Sequence, residues 1–371
     1  MGYVAVRGGS KAVENAEKLV EYFRIKGESS LLDIEAVKDQ FRLGIDKIMS
    51  EGSLYDRDLA AAALKQSEGD KIEASFLLRA FRATKPRAYY STIEKTNEMR
   101  ILRRISAAFK DVPGGQILGP TRDYTTRLID YKLFNEDREA VNKFKEEFLE
   151  EINNKSEDEL ESRPEFPKVI DLLKEEGLLI HNDEKKKQIK PDTDITRDGL
   201  DFPASRSAAL QVMARGETGG MITLAYSTMR GYGNIHPVLG ELRVGYLPLK
   251  INHPEKDEEV VLGEVLVTEA EVISQEFSDN EDQDMPVFTV GYGICFGHNE
   301  EKAIAMAVLD RSMAADSSDA PAEDQEFVLS HIDGIEAAGF TAHWKLPHYV
   351  TFQSVLDRIR KSQAEGRVKD E

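Results

Sequence analysis

The stretch VFTVGYGICFGHNEEKAIAMAVLDRSM, Val287–Met313, reads as a strand followed directly by a helix. Val287–Phe296 is a run of β-branched, aromatic and apolar residues, the composition of a buried strand. Gly297-His298 breaks the run, and Asn299 stands where a helix N-cap belongs. Glu300 and Glu301 follow, their charge suited to the positive end of a helix dipole. Ala303, Ile304, Ala307 and Val308 recur at helical spacing and mark the face that enters a core. The spacing of Gly291, Gly293 and Gly297 departs from the dinucleotide fingerprint, and no strand–helix–strand unit surrounds it. Cys295, inside the apolar strand, reads as buried and inert rather than nucleophilic.

Working outward, Val260–Ala270 and Leu239–Tyr246 read as further strands, the latter carrying Glu241 and Arg243. Met221–Thr228 reads as another buried strand, Ala204–Arg215 as a short helix, and Ser278–Asp284 as a solvated acidic loop. The N-terminal part differs in character. Tyr3–Arg7 alternates like a short strand, and Lys11–Ile25, Ile34–Met49, Asp56–Gln66, Asp70–Ala83 and Met99–Lys110 have helical periods. A glycine-proline block, Asp111–Pro120, makes a shaped loop with Arg122 and Arg127 beyond it, and Thr125–Tyr131 reads as helical. Lys143–Ser162 is a charged helical segment and His181–Asp198 a polar tract. The expected fold class is α+β. A mainly helical region spans 1–135, a charged linker or peripheral insertion 136–200, and a mixed, glycine-rich, sheet-containing region 201–371.

A formal charge of −19 over 371 residues repels phosphate backbones and anionic lipid, so general binding to nucleic acid or membrane is not expected. An anionic substrate would need a local basic pocket. One cysteine excludes an internal disulfide and fits a reducing compartment. With no apolar run of about 18 residues and no signal-peptide pattern, the expected location is the cytoplasm. There is no GxxxxGK[ST] loop, so any nucleoside triphosphate must be held by arginines and backbone amides.

Gly339–Phe352, GFTAHWKLPHYVTF, places His343 and His348 five positions apart. On one continuous helix their rings would stand roughly 140° apart, and on a flat strand they would face opposite ways. Pro347 excludes a regular helix and pushes Leu346 into an extended conformation. A bend at Leu346–Pro347 could bring both imidazoles to one point, as a tetrahedral zinc requires. By spacing alone, hydrogen-bonded packing histidines are the stronger reading. Two ligands also leave a zinc short, and His331, His298 or another polypeptide would have to supply more.

Four segments carry a resemblance: DRDLAAAALKQSEGDKIEASFLLRAFRAT (56–84), RRISAAFKDVPGGQILGPTRDYTTRLIDY (103–131), LAYSTMRGYGNIHPVLGELRVGY (224–246) and DQEFVLSHIDGIEAAGFTAHWKLPHYVTF (324–352). They resemble the I-subunit (PhnI) family of the bacterial carbon–phosphorus lyase core complex. The match is weakest over 136–198 and 250–285. The resemblance implies partner subunits G, H and J, together with ATP-binding-cassette-type subunits K and L. It also implies a reaction in which methylphosphonate displaces adenine from MgATP, giving alpha-D-ribose 1-methylphosphonate 5-triphosphate, which the radical J subunit later cleaves. In the family a zinc ion at the interface with J is held on this side by two histidines, which match His343 and His348. Breaking an N-glycosidic bond passes through an oxocarbenium-like transition state, which calls for a carboxylate, a donor toward the departing base and cations for the triphosphate. The candidates are Glu241 as carboxylate, His236 or Tyr232 toward the base, and Arg230, Arg243 and Arg122 toward phosphates. Against these, Glu241 and Arg243 could simply pair across a strand, and Tyr232 could simply pack. Two further readings stand beside the catalytic one. One is a scaffold that only completes the interface zinc site, and the other is a free-standing nucleosidase, against which the incomplete metal site argues.

Overall fold

The computed structural model describes residues 9–153, 166–179, 193–232, 236–278, 285–315 and 320–369. Tyr3–Arg7, most of His181–Asp198 and the loop after Ser278 lie outside them. At the centre is a four-stranded antiparallel sheet in the order β1-β2-β3-β4. Its strands are Arg100–Ile105, Val238–Asn252, Glu259–Ser278 and Met285–Phe296. One rung runs Val244–Thr268–Cys295 across the three long strands.

After β4 the chain turns at Gly297, whose φ of 76° favours glycine. It then runs back as the helix Glu300–Ser312, here α10. That helix lies on β4 at a distance only glycine permits: a Cβ at Gly293 would sit 2.2 Å from the Ala303 carbonyl oxygen, and one at Gly291 2.1 Å from that of Ala307. Ala303, Met306, Ala307 and Leu309 are fully buried there. On the far side of α10 pack the helices Arg206–Arg215 (α8) and Thr218–Ser227 (α9), through Met213, Met221 and Ala225.

Five helices precede the sheet: α1 (Gly9–Ile25), α2 (Ile34–Gln40), α3 (Arg42–Gly52), α4 (Arg57–Gln66) and α5 (Lys71–Ala83). A second core of Ile45, Ile48, Met49, Ala60 and Leu78 holds α2–α5 together, while α1 buries no residue. The expected period over Ile34–Met49 is broken at Phe41, between α2 and α3. Asp56 and Asp70 cap α4 and α5 by accepting from backbone amides two and three positions on. The two cores are keyed where α3 meets the start of α10. Asp46 Oδ2 accepts from His298 N at 3.1 Å, and the buried Lys302 donates to Ser50 Oγ at 2.7 Å and Ala214 O at 2.8 Å.

Three expected elements are corrected. Met99–Lys110 is not a helix, since Arg100–Ile105 is β1, paired with Leu242–Tyr246. Arg103 and Arg104, within that expected helix, are fully buried in the sheet, because the carboxylates of Asp123, Glu300 and Glu241 meet their guanidinium groups. Met221–Thr228 is helix rather than strand. Glu217 caps α9 by accepting from Gly219 and Gly220 amides, and of the apolar run Met221 and Ala225 are buried, with Leu224 packed partly against the same core. Thr125–Tyr131 forms no helix, and a 3-10 turn appears only at Tyr131–Asn135. The charged segment 136–200 holds the exposed helix Arg138–Asn153 (α6) and a helix Val169–Glu175 (α7) that belongs to the core. Lys168, Val169 and Leu173 are buried, and Leu179 bridges to Phe288 of β4. The chain ends in α11 (Gln325–His331), α12 (Gly334–His343) and α13 (Tyr349–Lys369). Among the described residues no helix is long and apolar enough to cross a membrane.

Replacing Gly293 by Ala should destabilise the fold by at least about 2 kcal/mol, because the obstacle is helix backbone that cannot turn aside. A denaturant titration showing an unchanged midpoint would refute the close contact.

Candidate functional site

His343 is the last residue of α12, and His348 immediately precedes α13, with Pro347 in the turn between them. Asp333 caps α12 at its other end and pairs with Arg79 of α5 at 2.7 Å, which ties the helix to the N-terminal core. The turn closes with Leu346 N donating to His343 O at 2.9 Å, and α13 opens with Phe352 N donating to His348 O at 3.0 Å. The bend brings the imidazole centroids to 5.4 Å. His343 Nδ1 lies on the Phe340 carbonyl and His348 Nδ1 on the Leu346 carbonyl at 2.6 Å, contacts that only an N–H can make. Both rings are thereby set in the tautomer whose Nε2 lone pair is free, the arrangement that metal-ligating histidines show. Residues of this kind fit zinc, but there are two of them. Among the described residues no group of three His, Cys, Asp or Glu could hold a metal. His331 instead bonds Phe327 O at 2.6 Å, and His298 faces Glu300 at 2.7 Å. Around the pair Phe340, Trp344, Leu346, Tyr349, Val350 and Phe352 are all exposed. Exposed apolar residues grouped along one segment are the kind of surface that interaction sites use.

Two of the residues expected around the sugar, Glu241 and Arg243, are sealed inside the fold. Glu241 is 2% exposed and lies against Arg104, while its other oxygen accepts from Val169 N at 3.2 Å. Arg104 reaches on to the carbonyls of Gly115 at 3.1 Å and Pro167 at 2.8 Å. Arg243 is equally buried and pairs with Glu269, its Nε at 2.9 Å, so Glu241 and Arg243 do not pair with each other. Lys168 donates to Glu269 at 2.7 Å and to Glu271 at 2.9 Å, and Tyr292 donates to Glu269 at 2.9 Å. Burial alone would raise the Glu269 carboxyl, but the charges of Arg243 and Lys168 outweigh it and hold the pKa at about 2. Burial pushes Glu271 up in spite of Lys168, and it raises the Tyr292 hydroxyl together with the Glu269 charge. Nothing in local sequence announced this network beyond the alternation that puts Glu269 and Glu271 on one face of β3. Arg230, on the turn after α9, and His236 are exposed, and Tyr232 lies in that same turn.

Arg122 lies exposed on the wall of a cleft of about 500 Å³ between the Pro120–Arg127 loop and the start of α10. Arg42, Lys47 and Arg127 also line it. Arg103 fixes its shape by donating to Leu118 O and Asp123 and pairing with Glu300 at 2.8 Å. The loop turns at Gly119, with φ of 60°.

A family of bacterial phosphonate metabolism proteins matches residues 2–366 of this α+β chain. That family is PhnI, and the chain belongs to it. The chain is 49% identical to the HtxH protein of Stutzerimonas stutzeri over 368 residues, 98% of this chain and 96% of that one. It is 44% identical over 369 residues to proteins of Rhizobium meliloti and Escherichia coli, each named alpha-D-ribose 1-methylphosphonate 5-triphosphate synthase subunit PhnI. Those alignments cover 98% of this chain and 95% and 99% of the two relatives.

Because the folded Glu269 pKa, about 2, lies below the ordinary carboxylate value of 4.5, its contribution to stability is present above pH 4.5 and is lost as pH falls toward 2. Acid titration followed by circular dichroism should show this loss, on the order of 3 kcal/mol. Glu269→Gln should be destabilised at neutral pH and flatter across that window, and a variant with the parent's acid profile would exclude Glu269 as the cause.

Proposed function

We propose that this chain is the subunit of a carbon–phosphorus lyase system that carries the nucleosidase-type step. In that step methylphosphonate displaces adenine from MgATP to give alpha-D-ribose 1-methylphosphonate 5-triphosphate. Support comes from the two relatives whose names specify this synthase, aligned over nearly the whole chain. The single observation that carries the site is the hinge at Pro347. It sets two imidazoles 5.4 Å apart, with both Nδ1 atoms on backbone carbonyls and an exposed apolar rim around them.

On this reading His343 and His348 present Nε2 to a zinc ion, and a partner, the radical J subunit, supplies the remaining ligands across the rim. A zinc bound there supplies a Lewis acid able to polarise a coordinated oxygen. The backbone carbonyls of Phe340 and Leu346 fix both rings before any metal arrives. Arg122 and Arg230, exposed and cationic, take the phosphates. His236, also exposed, donates toward the departing base. Glu241 serves as a positioning residue rather than as the carboxylate at the sugar. Through Arg104 it holds Pro113 and Gly115, and it binds the amide of Val169 at the start of α7. Subunits G, H, K and L complete the assembly in the cytoplasm.

The burial of Glu241 favours a second reading, a scaffold whose histidines only complete the metal site of the partner. The two separate in the assembled complex. His343→Ala and His348→Ala should each lower zinc affinity at least tenfold, measured by metal analysis. On the catalytic reading they also suppress adenine release from MgATP. Adenine release at the parent rate, with carbon–phosphorus cleavage lost, would establish the scaffold instead.

A further inference from the structure

We propose that the cleft between the Pro120–Arg127 loop and the N-terminus of α10 is a polyphosphate-binding site that takes the triphosphate of a nucleoside triphosphate. That the occupant is a nucleotide rests on the reading above, whereas the anion chemistry of the cleft does not.

The charges decide it. Three acidic side chains line the cleft, and each is already answered. Asp123 and Glu300 are both taken by the buried Arg103, Glu300 also by His298 at 2.7 Å, and Glu301 faces Lys47 at 3.7 Å. Arg122 has no hydrogen bond or ion pair from its guanidinium among the described residues, and Arg42 reaches only His298 Nδ1, at 3.4 Å. Two arginines facing one hollow with no carboxylate to meet them form a local positive field in a chain of net charge −19. Guanidinium groups are the donors that match phosphate oxygens in pairs.

Asn299 adds an independent sign. It lines the cleft and stands at the N-cap of α10, yet its side chain makes no cap bond, so the first-turn amides of the helix stay open toward an anion. Its Nδ2 is turned to Asp46 O at 3.1 Å and Phe296 O at 2.6 Å. Its Oδ1 has no partner although the residue is only 3% exposed. A buried acceptor left open calls for a donor, and a sugar hydroxyl attached to the phosphates would supply one. A volume of about 500 Å³ is that of a small-molecule site.

The test is calorimetric titration of the full chain at low ionic strength with inorganic tripolyphosphate and, separately, with MgATP. Tripolyphosphate should bind saturably, weaken with added salt, and bind at least tenfold more weakly to Arg122→Glu and to Arg42→Glu. Both positions are exposed, so the thermal melt should not change. Absence of binding, or parent affinity in both charge reversals, would overturn the site. If tripolyphosphate binds in this charge-dependent way and MgATP does not compete with it, the nucleotide assignment falls while the polyphosphate site stands. If MgATP binds in the cleft but the assembled complex releases no adenine, the reaction proposed above fails and the cleft is upheld.

Discussion

Backbone meets backbone where α10 lies on β4, and the rest of the molecule is arranged around that approach. Gly291 and Gly293 remove the side chains that would hold the helix off, and the carbonyls of Ala303 and Ala307 come down into the space. A helix so close to a sheet exposes almost nothing. α10 is therefore built from alanines and apolar residues, and its one buried lysine, Lys302, must find oxygens nearby. The oxygens come from α3 and from the end of α8, so satisfying one amino group also locks the N-terminal helical core to the sheet. Gly297 allows Asp46 to press against the turn at the head of the helix, closing the same joint from the other side.

The opposite face of the same stretch of sheet is held by charge. Glu241, Glu269 and Glu271 are buried with Arg104, Arg243 and Lys168, and backbone carbonyls take up the remaining donors. Buried ion pairs add little net stability compared with apolar packing, but they allow few alternative arrangements. Here they fix the course of connecting segments. Arg104 gathers carbonyls from Pro113, Gly115 and Pro167, and so seats both the glycine-proline loop and the approach to α7.

Those features also explain what could be read in the sequence. The β4–α10 unit was legible because strand composition, glycine, N-cap and helical period all agree over adjacent residues. The hinge between His343 and His348 was legible because proline has a fixed backbone meaning. β1 was not, since RILRRI carries three arginines, two of which, Arg103 and Arg104, are buried by partners such as Glu241, 137 residues from Arg104. α9 was misread because a short apolar run has no period that separates helix from strand, and the deciding signal was the cap at Glu217. Of the site, the histidine pair and Arg122 could be found locally. The sealing of Glu241 and the joining of Arg42 and Lys47 to the same cleft could not, because tertiary packing creates both.

The carbonyl anchors on the two imidazoles have a mechanical consequence. His343 is fastened to Phe340 of α12 and His348 to Leu346 in the turn, so the distance between their Nε2 atoms is set by the angle at which that turn holds them. A cation bridging the rings and a protein docked along the apolar side of α13 would both select the same angle. Each would then tighten the other's hold by the same factor, as reciprocity of linked equilibria demands. Metal occupancy and docking would behave as one cooperative event, registered at a single proline turn.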